Sequence, residues 1–241
     1  MSEGIRINKY ISTYTDVSRK EADRLIENGK VFVNGKEATL AMKINDSDIV
    51  TVNGVVVVKH QERIYIMLHK PAGVVSSVDP KTKDNVVNYI KHRSKIFPIG
   101  RLDKESVGLL LLTNDGDIVN KILREEYNHE KEYLVKVDPE IVDEDLIKLS
   151  KGVEIFNPVT NKYQVTKECI VERVSTNSFK IILKQGLNRQ IRRMCTVLGY
   201  QVAYLKRVRV MHLKLDTLPL GKWRYLTNEE IKILYRDTDH K

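Results

Sequence analysis

Two Asn-Gly pairs, Asn34-Gly35 and Asn53-Gly54, each follow a short run of β-branched and aromatic residues in the first 58 positions. Such a pair favours a tight turn with positive φ at both central residues, and therefore a local antiparallel reversal. Val31-Phe32-Val33 reads as a strand entering a turn, and Ile49–Val52 with Val55–Val58 as a β-hairpin. Upstream, Ser18 and Glu21 form a capping-box pattern ahead of Ala22, Leu25 and Ile26 on one helical face. Gly29 supplies the helix stop. A compact αβ module over residues 1–58 is expected. Residues 59–63 are wholly polar and mark a linker, leaving 64–241 as a second unit.

The second unit opens with Ile64–Leu68, a strand apolar on both faces and ended by Pro71 and Gly73. Further strands are expected at 133–137, 168–174 and 179–183. Helices are expected at 118–124, 143–151, 189–198 and 228–235. Strands and helices alternate irregularly, with no repeat and no low-complexity tail, which points to an α+β fold.

The longest strongly apolar run, Leu109–Leu112, falls far short of the roughly 20 residues that span a bilayer. The N-terminal ten residues lack the apolar core of a signal peptide, so no membrane partner is expected. Two cysteines, Cys169 and Cys195, cannot build a four-cysteine zinc site or a disulfide framework, consistent with a reduced cytoplasmic protein. Six scattered histidines, His129 among them, show no metal-ligand spacing, and Cys195 reads as a buried helical thiol. No coiled-coil heptad is evident, and a monomer is expected.

Charge is the clearest functional signal. The chain carries 41 Lys and Arg against 32 Asp and Glu, for a net charge of +9. The first 62 residues are balanced, nine basic to nine acidic, although Arg6, Lys9, Arg19, Lys20 and Arg24 gather around the first helices. Between Arg173 and Lys214 there are ten basic residues and no acidic one, with Tyr200, Tyr204 and His212 interspersed as stacking candidates. That pattern favours a surface for nucleic acid or phosphate over a merely solvated face.

Four segments concentrate the chemistry: His69–Gly73, Gly100-Arg101-Leu102-Asp103, Lys131–Val135, and Gly186–Met194 with Arg189, Ile191, Arg192 and Arg193. Singly each is weak, since a loop aspartate such as Asp103 is most often solvated or a helix cap. Together and in this order they resemble the RNA pseudouridine synthases, in the branch that includes the small-subunit rRNA enzyme. The aspartate motif extends through Ser106–Gly116, and the resemblance covers nearly the whole chain. Residues 1–58 resemble the RNA-binding module first described in a small-subunit ribosomal protein, through Arg6, Lys9, Ser18, Arg19, Lys20, Gly29, Val31, Asn34 and Gly35. Within the branch, His129–Val135 and Gln185–Cys195 are most similar to the large-subunit rRNA members.

The resemblance implies a catalytic domain on a mixed, largely antiparallel β-sheet with flanking helices. It also implies site-specific conversion of uridine to pseudouridine in large-subunit (23S) rRNA, with a tyrosine tRNA anticodon loop as second substrate. The reaction breaks a carbon–nitrogen glycosidic bond and makes a carbon–carbon bond to the same base. Atoms and electrons balance, so no cofactor or metal is expected. Asp103 is implied as the catalytic carboxylate, with the sugar carbon and the base both open as its target. Arg192 is implied as its guanidinium partner, an alternative being one more phosphate contact. Tyr133 is implied to stack on the detached uracil, and Arg101 to help displace the base from its stack. Arg189, Arg193, Lys206 and Arg207 are assigned to RNA phosphates. Ile191 faces the uracil or simply fills the core, and Lys70 and Pro71 read as structural or weakly RNA-contacting. Asp115 and Asp117 are further carboxylates near the motif. The competing reading is a non-catalytic RNA-binding or ribosome-assembly factor. A DNA-binding protein is a weaker third, for no DNA-reading motif appears.

Overall fold

The computed structural model describes residues 4–15, 17–58 and 62–239, so part of the expected linker, residues 59–61, lies outside the described residues. The chain divides into two units. One is Met1–Arg63 with the segments Arg93–Lys95 and Asn114–Gly116; the other contains Ile64–His92, Ile96–Thr113 and Asp117–Lys241.

The first unit runs β1 (Ile5–Arg6), α1 (Ile7–Tyr14), α2 (Arg19–Glu27), β2 (Val31–Val33), β3 (Lys36–Glu37), β4 (Lys43–Ile44), β5 (Val50–Val52) and β6 (Val55–Val56). A four-stranded sheet has the order β3-β2-β5-β6, and β1 pairs with β4. Both Asn-Gly pairs make the expected turns, with φ of 51° and 78° at Asn34 and Gly35 and 50° and 80° at Asn53 and Gly54. Ile7 and Ile11 of α1 and Ala22 and Ile26 of α2 pack on Val31 and Val50 of the sheet. The Ser18 hydroxyl caps α2 by accepting from the Glu21 amide at 3.2 Å. In place of the return bond of a capping box, the Glu21 carboxylate pairs with Arg24 at 3.3 Å.

The second unit continues with β7 (Tyr65–Lys70), α3 (Val86–Ile90), β8 (Phe97–Ile99), β9 (Val107–Thr113), α4 (Gly116–Leu123), β10 (Lys131–Asp138), α5 (Asp143–Lys151), β11 (Glu154–Asn157), β12 (Lys162–Val165), β13 (Ile170–Ser175), β14 (Ser178–Leu183), α6 (Gln190–Val197), β15 (Gln201–Val210), β16 (Leu213–Lys214), β17 (Trp223–Tyr225) and α7 (Asn228–Thr238). Its main sheet has the order β13-β14-β10-β15-β9-β7-β17, with β16 on β15 and β8 on β9. Every pairing in it is antiparallel except β15 with β9. The fold is the expected α+β arrangement on a mixed, largely antiparallel sheet.

Strands β7 and β9 are buried along their whole length because both of their faces are covered. On one face Tyr65, Met67, Leu109 and Leu111 meet Ile118 and Ile122 of α4 and Leu234 of α7. On the other, Ile66, Leu68, Leu110 and Leu112 meet Val86 and Ile90 of α3. Each such side chain stabilises the fold by roughly 1.5–3 kcal/mol when fully buried. A third core lies on the other half of the sheet, where Val135, Phe179 and Ile181 pack against Leu149 of α5 and Ile191 and Met194 of α6. Cys195 is buried there, and desolvation pushes its thiol up to about 12. Among the described residues, no helix is long and apolar enough to cross a membrane.

The parallel contact of β9 with β15 is where the two halves of the sheet meet, through Val107 opposite Lys206 and Gly108 opposite Arg207. Gly108 has φ of +112°, and a Cβ there would stand 2.2 Å from the Arg207 carbonyl oxygen. An L side chain is excluded twice over, by backbone conformation and by contact with main chain that cannot rotate away. Gly108→Ala is expected to destabilise the second unit by about 3 kcal/mol or more, from strain and overpacking together. Urea unfolding of the purified variant checks this; a midpoint within error of the parent contradicts the close approach.

Candidate active site

Asp103 sits on the turn between β8 and β9, and the backbone is fastened on both sides of it. On one side the buried Ser76 hydroxyl donates to the Leu102 carbonyl at 2.9 Å and accepts from the Leu102 amide at 3.1 Å. On the other, the Lys104 carbonyl accepts from the Gly73 amide at 2.8 Å and from Lys70 Nζ at 3.3 Å. The Ser106 amide closes the turn by donating to the Asp103 carbonyl at 3.1 Å. Bonds on both flanks leave the carboxylate little positional freedom, which a reacting group requires.

Lys70 is the least expected member of this assembly. It is fully buried at the end of β7. Its ammonium donates to three carbonyls, those of Pro71, Val74 and Lys104. Desolvation is the main reason its pKa falls from the ordinary 10.5 to about 8, with the negative charges of Asp103 and Glu105 opposing that fall. The structural reading of Lys70 is the one the geometry favours, since no surface remains for RNA.

Arg192 approaches from the first turns of α6. Its Nη1 donates to the Val202 carbonyl and its Nη2 to the Ser106 hydroxyl, both at 3.2 Å. With the fork held in this way, Nε faces Asp103 Oδ2 at 3.6 Å and is buried without a hydrogen-bond partner of its own. Arg189 stands on the other side, 3.7 Å from the same oxygen and 3.2 Å from Glu105. Its backbone is left-handed, with φ of 51°, at the residue before α6. Two opposite unit charges about 4 Å apart attract by about 4 kcal/mol at an effective dielectric of ~20. The Arg189 side chain is 42% exposed and that of Arg192 15%, so water screens Arg189 more and Arg192 is the stronger partner.

The cleft in front of Asp103 is walled by Arg101, Tyr133, Leu183, Leu187, Ile191 and Leu205. Tyr133, half-buried on β10, packs against two of the cores. Ile191 satisfies both readings at once, lining the cleft while belonging to the core. Two buried amides shape the rim; both lie in the Gln185–Cys195 segment, which does not show what they hold. Gln190 Oε1 accepts from the Leu187 amide at 3.1 Å, and its Nε2 donates to Gln185 Oε1 at 3.2 Å. Ser106, the other residue missed, lies inside the extended aspartate motif, where its serine was visible but its service to Arg192 was not.

Several expectations need correction. Arg207 cannot meet phosphates: it is buried, and its Nε donates to the Leu109 carbonyl at 2.7 Å. Lys206 follows Leu205 on the same strand, and alternation sends its side chain to the opposite face from the cleft. There it shares a hollow with Arg209 and Lys214. Tyr200 is no stacking platform, being buried with its hydroxyl on Asp145 at 2.7 Å. Arg193 bonds to Asn188 through its Nε and Nη2 while staying partly exposed, which does not conflict with the expected phosphate contact. The ten basic residues between Arg173 and Lys214 are partly neutralised by carboxylates outside that stretch, such as Asp143 for Arg173, Glu172 for Lys180, and Glu130 with Glu132 for Arg209. Asp115 pairs with Arg63 at 3.4 Å and Asp117 lies in the first turn of α4, so neither lines the cleft. In the first unit, Arg6, Arg19 and Lys20 are exposed and Lys9 is half-buried on α1.

Because the folded protein holds the Lys70 ammonium near 8 and the unfolded chain near 10.5, unfolding takes up a proton between those values. Raising the pH across that window therefore stabilises the folded state through this group, whereas below 8 the buried charge is a constant penalty. Lys70→Met removes the titration. Wild type is expected to gain roughly 1–3 kcal/mol on the variant between pH 8 and 10.5 in urea titrations. A difference that stays flat over that range contradicts the buried ammonium.

Comparison with known proteins gives the family. Residues 64–196 match the family model described as RNA pseudouridylate synthase, and residues 5–50 match the S4 domain. The dual-specificity RNA pseudouridine synthase RluF of Escherichia coli strain K12 is 48% identical over 234 residues, covering 96% of this chain and 79% of that protein. The ribosomal large subunit pseudouridine synthase B of Bacillus subtilis strain 168 is 38% identical, covering 98% and 97%. A solved crystal structure of a pseudouridylate synthase superposes with a TM-score of 0.68 at 26% identity, covering 95% of this chain and 99% of that one. With an S4 domain ahead of a matched catalytic domain, the chain belongs to the RNA pseudouridine synthases, enzymes that isomerise uridine in RNA.

Proposed function

We propose that this enzyme converts specific uridines of large-subunit (23S) rRNA to pseudouridine and also acts on a tyrosine tRNA anticodon loop. The observation that carries the reading is the cleft itself. Asp103 stands between two arginines, with a half-buried tyrosine and an apolar wall in front of it. The similarity to a dual-specificity synthase supports two RNA substrates, and the similarity to a large-subunit synthase supports rRNA as one of them.

In this reading residues 1–58 bind RNA through Arg6, Lys9, Arg19 and Lys20, residues 59–63 link the domains, and 64–241 carry the reaction. A uridine leaves its stack, helped by Arg101, and enters the cleft. The C1′–N1 bond breaks, the uracil turns, and C5 bonds to C1′. The proton lost from C5 is matched by one gained at N1, so no outside reagent is consumed. Asp103 supplies the carboxylate that drives bond cleavage, and Arg192 beside it keeps it aimed. Tyr133 holds the detached base by its ring and Ile191 covers the other side, while Arg189 reaches the phosphates beside the target. Such a protein works as a monomer in the cytoplasm, with no membrane or cofactor.

Incubation with 23S rRNA and tyrosine tRNA transcripts, followed by chemical mapping of pseudouridine, tests the proposal. New pseudouridine at discrete positions in both RNAs is expected. Modification of rRNA alone removes the tRNA part. Tight RNA binding with no pseudouridine in either transcript contradicts the whole and describes an RNA-binding assembly factor instead.

A further inference from the structure

Tyr89 is a large aromatic ring left 42% exposed, yet anchored at its hydroxyl. Its hydroxyl donates to the Gly221 carbonyl at 3.1 Å. Gly221 is in turn fastened to β7 by its amide, which donates to the His69 carbonyl at 2.8 Å. The fit leaves no room for another residue: Gly221 has φ of +77°, and a Cβ there would stand 2.6 Å from the Tyr89 hydroxyl. An exposed tyrosine usually sheds its hydroxyl into water and moves freely. This one is braced from behind with part of its surface open.

The ring forms one side of a hollow of about 420 Å³, within the size range of small-ligand sites. The buried Val74 and Asn85 are part of its lining, together with the exposed Gly73, Lys83, Asp84, Asn88 and Lys104. Lys104 pairs only loosely with Asp84, at 3.8 Å with both side chains more than half exposed, so an incoming anion competes easily for it. Lys104 also directly follows Asp103, and their Cα atoms are about 3.8 Å apart. A nucleotide adjoining one at Asp103 is therefore within reach of this hollow.

We infer that the hollow bounded by Tyr89, Lys83 and Lys104 is a subsite for an unpaired nucleotide next to the target uridine, with its base on the Tyr89 ring and its phosphate between the two lysines. A rigid aromatic face beside cations is what single-stranded RNA uses, since every base has a face to stack. A protein partner fits less well, because the lining is mostly polar and charged where the centre of a protein interface is depleted of charge. The inference rests on the function proposed above and extends it to substrate selection, as a preference for targets in loops with a free neighbour.

The test uses the full-length enzyme and two RNA hairpins carrying the mapped target, one with unpaired neighbours and one trimmed to the base pairs around it. Tyr89→Ala is expected to lower the affinity for the first about tenfold and to shrink the affinity ratio between the two RNAs by the same factor. Tyr89→Phe, which keeps the ring, retains most of that ratio. Replacing both Lys83 and Lys104 by alanine reduces the slope of log affinity against log salt by about 0.7, the value for one phosphate of a single strand, and either single replacement reduces it by less. In wild type, 4-thiouridine placed beside the target is expected to crosslink to the segment containing Tyr89, a readout that stands even if the alanine variant fails to fold. Equal loss of affinity for both hairpins, no loss at all, or crosslinks confined to other segments overturns the subsite. Absence of pseudouridine in both hairpins with wild type is a different failure, that of the proposed function.

Discussion

The close approach of β9 to β15 is the constraint on which the catalytic unit depends. Each strand belongs to a different half of the sheet, and they meet in its only parallel pairing among the described residues. Gly108 permits the contact because it alone accepts φ of +112° with a carbonyl 2.2 Å from where a Cβ would be. Asp103 lies just upstream of β9, while Arg192 is tied to the Val202 carbonyl of β15. The separation of carboxylate and guanidinium is thus set by how tightly two backbones pack, several residues away from the chemistry. Ser106 links the same two sides directly by accepting from Arg192.

Around that junction the molecule holds the Asp103 turn by backbone and buried polar bonds rather than by surface ion pairs. Ser76, Gly73 and Lys70 fix the residues on either side of Asp103. A buried ammonium is unfavourable unless its donors are matched, and the three carbonyls on Lys70 match them. Arg192 differs in leaving one donor unused: Nε is buried, unbonded and 3.6 Å from Asp103. That distance is beyond a hydrogen bond, so the pair is aligned by charge and by the other two anchors of the fork.

Much of this was legible in the sequence, and the remainder was hidden for identifiable reasons. The Asn-Gly turns and the helix over 143–151 were read correctly because local chemistry decides them. The helix at the end of the chain runs three residues past the expected 235, opened by a Thr227–Glu230 capping box that went unread. Strand β9 passed as a merely greasy run, since burial on both faces erases the alternation that marks a strand. Strand β15 was masked by its charges. Arg207 and Lys206 look alike in sequence, yet one lies buried against a carbonyl and the other faces away from the cleft. A count of basic residues along the chain also overlooks acidic partners from distant strands, as with Arg209 between Glu130 and Glu132. The motif identified Asp103, Arg192 and Tyr133 as a set. The bracing by Ser76, Lys70, Ser106 and Gln190 becomes visible only when separated segments are brought together.

The claim that Asp103 is the acting carboxylate, positioned beside Arg192 while uracil is displaced and rejoined, is tested most directly by single-turnover release of tritium from target RNA labelled at uridine C5. Wild type is predicted to release one equivalent per target. Asp103→Asn, nearly the same shape without the charge, is predicted to bind the same RNA with comparable affinity and to release nothing above the enzyme-free control. Tritium release by Asp103→Asn at the wild-type rate contradicts the account.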